Sequence, residues 1–388
     1  MDVERPLRIL MTADTVGGVW QYALTLCRAL SAGGDRIDLA TMGAAPDAAQ
    51  RREAAAIPGL RLHASDYRLL WMADPWRDVA AAGRWLQALA ERVRPDVVHL
   101  NDYAHGPLRW RAPVLMVAHS CVGSWWRAVH GEDPPPAWQR YRAAVGAGLA
   151  AADHVVAPTR AMLAALRAQH RIDAPSSVIA NGATPLERPV PICARQPLVL
   201  GAGRLWDEAK NLSTLAAVAE RLAWPVRIAG DARHPDGGRA AIAPSLLLGR
   251  LPPRALHGWL ARAGIYALPA RYEPFGLSVL EAAQCGCALV LGDIASLREV
   301  WGEAALYVDP DDADGLAATL QRLIDDTALR ERMARRALAR AARYTPAAMA
   351  AAYRRRYLAL VAQQRRPLPA ARANAFSSTP AISLGASA

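Results

Sequence analysis

Short apolar runs alternate along the chain with longer stretches in which apolar residues recur every three to four positions. The first kind reads as buried strand and the second as amphipathic helix, the grammar of a parallel sheet wrapped by helices. Leu7–Met11, Val97–Leu100, Val114–Val117, His154–Val156 and Val178–Ile179 read as strands of a first unit. A Gly17-Gly18 turn after the first strand leads into a helix carrying Trp20, Leu24, Cys27 and Leu30 on one face. The periodic signal lapses around Glu187–Pro191, where prolines predict a linker. It then restarts with Leu198–Gly203 as strand and glycine turn, a helix over Leu212–Leu222, and strands at Val226–Ala229, Ile265–Leu268, Ala288–Leu291 and Ala305–Val308. The expectation is an α/β protein of two doubly wound units, over residues 1–188 and 189–345.

Two arginine-rich helices are predicted next, over Leu316–Tyr344 and Pro346–Gln364. Thr345 can cap the second, and Pro346 suits its first position. Met349, Tyr353, Tyr357 and Val361 share one face, read as a packing stripe by which helix 346–364 completes the first unit. A weak peripheral contact of the arginine face with a membrane is the lesser reading. The loss of periodicity after Arg366 predicts a disordered tail over 367–388.

Composition narrows the class. A length of 388 residues with 53% hydrophobic and 21% charged positions suits a globular protein of two domains. The start carries no leader pattern, and no apolar run reaches the roughly 18 residues of a membrane span, so a cytoplasmic protein is expected. Five cysteines without paired CxxC spacing argue for neither a disulfide framework nor a zinc site, and Cys285-Gly286-Cys287 reads as buried small side chains. The net charge of +11 is almost all dispersed arginine, with no nucleic-acid-binding motif, so no nucleic-acid partner is expected. No G-x-G-x-x-G with a downstream acid follows the first strand, which disfavours a dinucleotide oxidoreductase.

Chemistry concentrates in Glu273-Pro-Phe-Gly-Leu-Ser-Val-Leu-Glu281, where two carboxylates eight residues apart flank a glycine-containing entry into a helix. Unpaired amides near Phe275, Gly276 and Leu277 could bind ligand oxygens there. The carboxylates could accept sugar hydroxyls at separate points along one elongated ligand. Alone, such a pair reads as surface and helix charges. It is accompanied by Gly203-Arg204-Leu205 and Lys210, the sole lysine in the chain. A planar guanidinium and a compact ammonium can cradle a diphosphate from two directions, and a cation at a helix start opposes the macrodipole unless an anion is bound.

Gly203-Arg204-Leu205 with Lys210, Glu273-Pro-Phe-Gly-Leu with Glu281, Leu297-Arg-Glu-Val and Val308-Asp-Pro310 together resemble the family 4 retaining glycosyltransferases of GT-B fold, over nearly the whole chain up to Arg366. The resemblance implies two Rossmann-like domains facing each other across a cleft. It implies that Lys210 and Arg204 hold the diphosphate of a nucleotide-sugar donor, that Glu273 faces the donor sugar and that Glu281 contacts the ribose. It further implies that the Gly17-Gly18 loop lies by the diphosphate and His119 by the donor sugar. Ser120, Ala183-Thr184 and the proline-free Gly286-Cys287-Ala288 depart from the family's usual residues.

The implied chemistry is front-face substitution with retained configuration, the departing phosphate taking the acceptor proton. No cofactor or metal is called for: Asp309-Pro-Asp311 spells D-x-D but sits between strand and helix, where aspartates cap and turn. The acceptor is open among glycan, lipid-linked and small-molecule classes. Trp125 and Trp126, in the stretch after His119, are candidates to contact it, since tryptophan faces stack on sugar rings. An epimerase of the same architecture and a non-catalytic nucleotide-sugar-binding subunit are the alternatives.

Overall fold

The computed structural model describes residues 5–185, 191–233, 237–238 and 241–364. Its first sheet contains β1 (Arg8–Asp14), β2 (Arg36–Met42), β3 (Leu60–Ala64), β4 (Val97–Leu100), β5 (Val114–Val117), β6 (His154–Ala157) and β7 (Ser176–Val178). The strands are parallel in the order β3-β2-β1-β4-β5-β6-β7. The second contains β8 (Gln196–Ala202), β9 (Val226–Ala229), β10 (Leu247–Gly249), β11 (Ala263–Leu268), β12 (Ala288–Gly292) and β13 (Leu306–Val308). Its order is β10-β9-β8-β11-β12-β13, again parallel. The central strands β4, β5, β6, β11 and β12 are buried at every position, as expected of sheets covered by helices on both faces. Each unit has its own apolar core.

Each sheet reverses its winding once, between β1 and β4 and between β8 and β11. In open parallel sheets the crevice beyond the strand C-termini at such a reversal is where ligands bind, because no crossover helix fills it.

Three strands lie outside the expected set. β2 and β3 read RIDLATM and LRLHA, with charged residues interrupting the apolar run near one edge of the sheet, and β10 is a short edge strand. The long helix expected over Leu316–Tyr344 is two helices, Ala313–Asp325 and Thr327–Ala341. They part at Asp326, whose carboxylate accepts the Leu329 amide at 2.8 Å and starts a new helix. The linker around Glu187–Pro191 falls largely outside the described residues, and the 367–388 tail entirely so.

Helix Pro346–Gln364 crosses back to the first unit. Thr345 accepts the Ala348 amide through its hydroxyl at 3.1 Å. Met349, Tyr353, Tyr357 and Leu360 bury against helix Gly18–Ala32, Leu360 replacing the expected Val361 because the helical period is about 3.6 rather than four. The Tyr357 hydroxyl lies 2.6 Å from His99 Nδ1 in the core. Arg354 meets Asp35, a carboxylate with no exposed side-chain surface that also accepts the Leu7 amide.

Candidate functional site

The expected donor groups converge at the second sheet's reversal. Arg204 and Lys210 follow β8, and Glu273 follows β11. Lys210 Nζ donates to Glu273 Oε2 at 2.6 Å, with 14% and 13% of the two side chains exposed. Arg204 donates to Asp207 Oδ2 at 2.5 Å, and Asp207 is only 4% exposed. Asp207 Oδ1 also accepts the Ala209 amide at 3.1 Å. Burial by itself would raise the Asp207 carboxyl, but the charges of Arg204 and Lys210, with hydrogen bonds from Trp125 and Arg204, hold it below its ordinary value.

Glu273 also holds the turn that enters the helix Leu277–Gln284. Its Oε1 accepts the Gly276 amide at 2.9 Å and faces the Phe275 amide at 3.4 Å. Of the amides expected to meet a ligand, those of Phe275 and Gly276 are therefore taken by the chain's own carboxylate. The Phe275 ring is 2% exposed and packs edge-on against Tyr344, so the ring belongs to the core. Gly276 adopts φ 89°, a left-handed backbone that a side chain resists, and an added Cβ would lie 3.0 Å from Val279. Glu281 lies one turn into this helix, half-buried, and burial pushes its carboxyl up to about 7. Glu273 and Glu281 both act on the buried Tyr266 hydroxyl, which bonds Ser278 and the Ala202 carbonyl.

The glycine loop of the first unit faces this cluster. A Cβ on Gly17 would sit 3.7 Å from Arg204, and one on Gly18 3.5 Å from Leu277. The loop amides of Val16 and Gly17 both donate to Asp14 Oδ1 at 3.0 Å. The two units also meet through Thr159 Oγ1 donating to the Pro274 carbonyl and through the Arg160 and Ala161 amides donating to the Glu299 carboxylate, each at 2.9 Å.

His119 stands at the end of β5, its Nε2 2.7 Å from Asn101 Oδ1. The Asn101 amide nitrogen donates to the Thr12 carbonyl at 2.6 Å, which fixes Oδ1 as the acceptor and puts the histidine proton on Nε2. Burial, aided by neighbouring His99, pushes His119 down to about 3, so its Nδ1 is a bare hydrogen-bond acceptor. His119 borders a cavity at the first sheet's reversal that Asp14, Trp71, Asn101, Asp102 and Tyr141 also line.

The two expected acceptor contacts are placed differently. Trp125 Nε1 donates across the cleft to Asp207 Oδ1 at 2.9 Å, so this indole joins the two units instead of standing free. Trp126 is half-buried against Trp125 and His130. Asp309 accepts the Asp311 amide at 2.9 Å, the turn-forming use expected of it, while the Asp311 carboxylate pairs with Arg271.

Asp14, Asn101 and Asp207 were not singled out from the sequence. The available signal was their place: Asp14 ends β1, Asn101 directly follows β4, and Asp207 lies between Arg204 and Lys210. Polar residues where parallel strands end are candidates by position alone.

Residues 16–185 match the family model Glycosyltransferase Family 4, and residues 196–326 match Glycosyl transferases group 1. Together with the fold, these matches define the class: the chain belongs to the family 4 glycosyltransferases of GT-B fold. It is 38% identical over 98 residues to O-antigen chain mannosyltransferase B of Escherichia coli, a stretch covering 25% of this chain and 26% of that protein. The match thus spans about a quarter of that relative's length. It is 29% identical over 376 residues to a D-inositol 3-phosphate glycosyltransferase of Xylanimonas cellulosilytica, covering 84% and 88% of the two chains. Sucrose-phosphate synthase from Thermosynechococcus elongatus superposes with a TM-score of 0.77 at 20% identity, over 92% of this chain and 100% of that one, which shows the shared fold. Among the described residues no helix is long and apolar enough to cross a membrane.

Proposed function

We propose that the protein is a retaining glycosyltransferase that moves a sugar from a nucleotide diphosphate donor to a hydroxyl acceptor seated against the first unit. The observation that carries this reading is the convergence of Arg204, Lys210 and Glu273 at the second sheet's reversal, with the glycine loop of the first unit opposite. An apolar site would not spend the only lysine of the chain on a largely buried ion pair. A site for an anion would, because the arriving diphosphate can take over Lys210 while Glu273 turns to the donor sugar's hydroxyls.

In this mechanism the acceptor oxygen bonds to the anomeric carbon on the face from which the diphosphate leaves. The carbon–oxygen bond to the diphosphate breaks with its electron pair passing to the phosphate, and a phosphate oxygen takes the acceptor proton. Lys210 and Arg204 stabilise the charge that builds there, a role worth on the order of 3–4 kcal/mol per donor in comparable sites. Glu281 accepts ribose hydroxyls, and His119 accepts a donor-sugar hydroxyl at Nδ1. The reading requires no divalent ion, and protein stripped with EDTA is expected to keep its activity.

Thermal shifts with UDP-, GDP- and ADP-sugars, followed by an assay of nucleotide release with and without added glycans, test it. Stabilisation by one nucleotide class and release that depends on the glycan are expected. Release or interconversion of the donor without acceptor would point instead to an epimerase.

A further inference from the structure

Two histidines of the first unit share one side-chain amide. Asn101, the residue after β4, has its Oδ1 2.7 Å from His119 Nε2 and 3.1 Å from His99 Nε2. Its side-chain nitrogen donates to the Thr12 carbonyl of β1 at 2.6 Å, and its backbone amide donates to the Thr12 hydroxyl at 2.8 Å. A backbone carbonyl only accepts, so the Asn101 amide has one orientation, with its oxygen toward the two rings. That oxygen also only accepts, and each Nε2 facing it therefore carries a proton. Burial pushes both imidazoles down to about 3, so both are neutral and each Nδ1 is bare. In the core, His99 Nδ1 takes the Tyr357 hydroxyl at 2.6 Å. The Tyr22 hydroxyl, 3.3 Å from His99 Nε2, is a second and longer contact of that nitrogen. The polarity of the whole chain of bonds is set at one end, by the Thr12 carbonyl; Tyr357, whose hydroxyl can donate or accept, follows it.

Resting on the glycosyl-transfer reading above, in which His119 receives a donor-sugar hydroxyl, we propose that Asn101 is a positioning residue: anchored on the Thr12 carbonyl, it locks His119 into the Nε2-protonated tautomer, so that the ring meets the sugar only as an acceptor. Which nitrogen of an imidazole carries the proton is set by the bond its other nitrogen makes, and here that bond is the one to Asn101. His99 holds the same amide oxygen from the core side and keeps it from turning toward His119 alone. A sugar group able to donate is recognised at His119 Nδ1, and one that only accepts gains nothing there.

The test is long-range proton–nitrogen NMR on the full chain carrying isotope-labelled histidine, with the two rings assigned by the signals lost in His119→Gln and His99→Gln. Without ligand, both are expected to show a protonated Nε2 and a bare Nδ1. A protonated Nδ1 on His119 in the unaltered protein would overturn the inference whatever the variants do. In Asn101→Leu the His119 nitrogens should move from these locked shifts toward the averaged ones of an imidazole exchanging between tautomers. Tyr357→Phe, which loosens the same network from the core, should leave His119 locked. A His119 unmoved by Asn101→Leu, or released equally by Tyr357→Phe, would also overturn the inference, the second because loosened packing would then account for the change. UDP-glucose, GDP-mannose and ADP-glucose are then titrated, and one of them should shift His119 Nδ1. Asn101→Leu should bind that sugar nucleotide about fivefold more weakly, the worth of one hydrogen bond, and its nucleoside diphosphate as before; an equal loss for both would reduce Asn101 to a structural role. If the lock is seen but no sugar nucleotide moves Nδ1, it is the donor-sugar role of His119, and with it the reading above, that fails.

Discussion

Glu281 should be a stability cost that the site tolerates for function, and its pH dependence makes this measurable. Burial raises its carboxyl from 4.5 to about 7, and among the described residues no hydrogen bond or ion pair offsets that burial. Below pH ~4.5 the folded and unfolded chains both hold the proton, so the residue is neutral for stability. Between ~4.5 and ~7 the unfolded chain releases its proton while the folded chain keeps it, so stability falls as pH rises; above ~7 the loss is complete. Each tenfold change in proton affinity is worth about 1.4 kcal/mol, which puts the full cost at up to about 3 kcal/mol. Glu281→Gln resembles the protonated acid and should abolish this loss. Urea unfolding of the two proteins across pH 5–8 is expected to show a difference that grows from about 1 kcal/mol or less to about 2–3 kcal/mol in favour of the variant, while its nucleotide affinity falls. A difference that does not change with pH, or a variant less stable than its parent at pH 8, would refute the reasoning.

Two further perturbations probe the frame around the site. Trp125→Phe removes the N–H that reaches across the cleft to Asp207, leaving a largely buried carboxylate with one partner fewer; a loss of about 1–2 kcal/mol is expected in chemical unfolding, and no loss would deny the bridge. Gly276→Ala forces a side chain onto a backbone at φ 89° with Val279 only 3.0 Å from its Cβ; a fall in thermal stability equivalent to about 1–2 kcal/mol or more is expected, and an unchanged melting temperature would show that the turn relaxes freely.

Much of this architecture is legible in the residues because parallel strands covered on both faces need uninterrupted apolar runs. Val114–Val117 and Ala288–Leu291 have them and stand as β5 and most of β12, while Val97–Leu100, which is β4, is broken only by His99, a histidine buried against Tyr357. Strands β2 and β3 escaped because Arg36, Asp38, Arg61 and His63 break their runs, and polar residues are tolerated toward the sheet edge; His63 Nε2 lies 2.8 Å from Asp38 Oδ1 there. The helix break at Asp326 lies in Leu323-Ile-Asp-Asp-Thr-Ala-Leu329, where apolar residues resume at helical spacing beyond the two aspartates, and the capping bond of Asp326 marks it. In the site, Lys210 stood out through its rarity and Glu273 through its spacing from Glu281. Spacing could not disclose that Glu273 and Asp207 already hold the two cations, nor that Trp125 would spend its indole N–H on the opposite unit. Arg204 and Asp207 are three residues apart and Lys210 meets Glu273 within the second unit, so those pairings follow from loop conformation, whereas the Trp125 contact is set by how two separately folded sheets meet.

The central claim is that Lys210 and Arg204 bind the pyrophosphate of the donor, and the most direct measurement is the affinity gap between a nucleoside diphosphate and its monophosphate. Titration calorimetry with UDP and UMP, GDP and GMP, and ADP and AMP should show the unaltered protein favouring the diphosphate of one base by at least tenfold. In Lys210→Ala that preference should collapse while the monophosphate binds as before. A preference that survives Lys210→Ala undiminished would contradict the account.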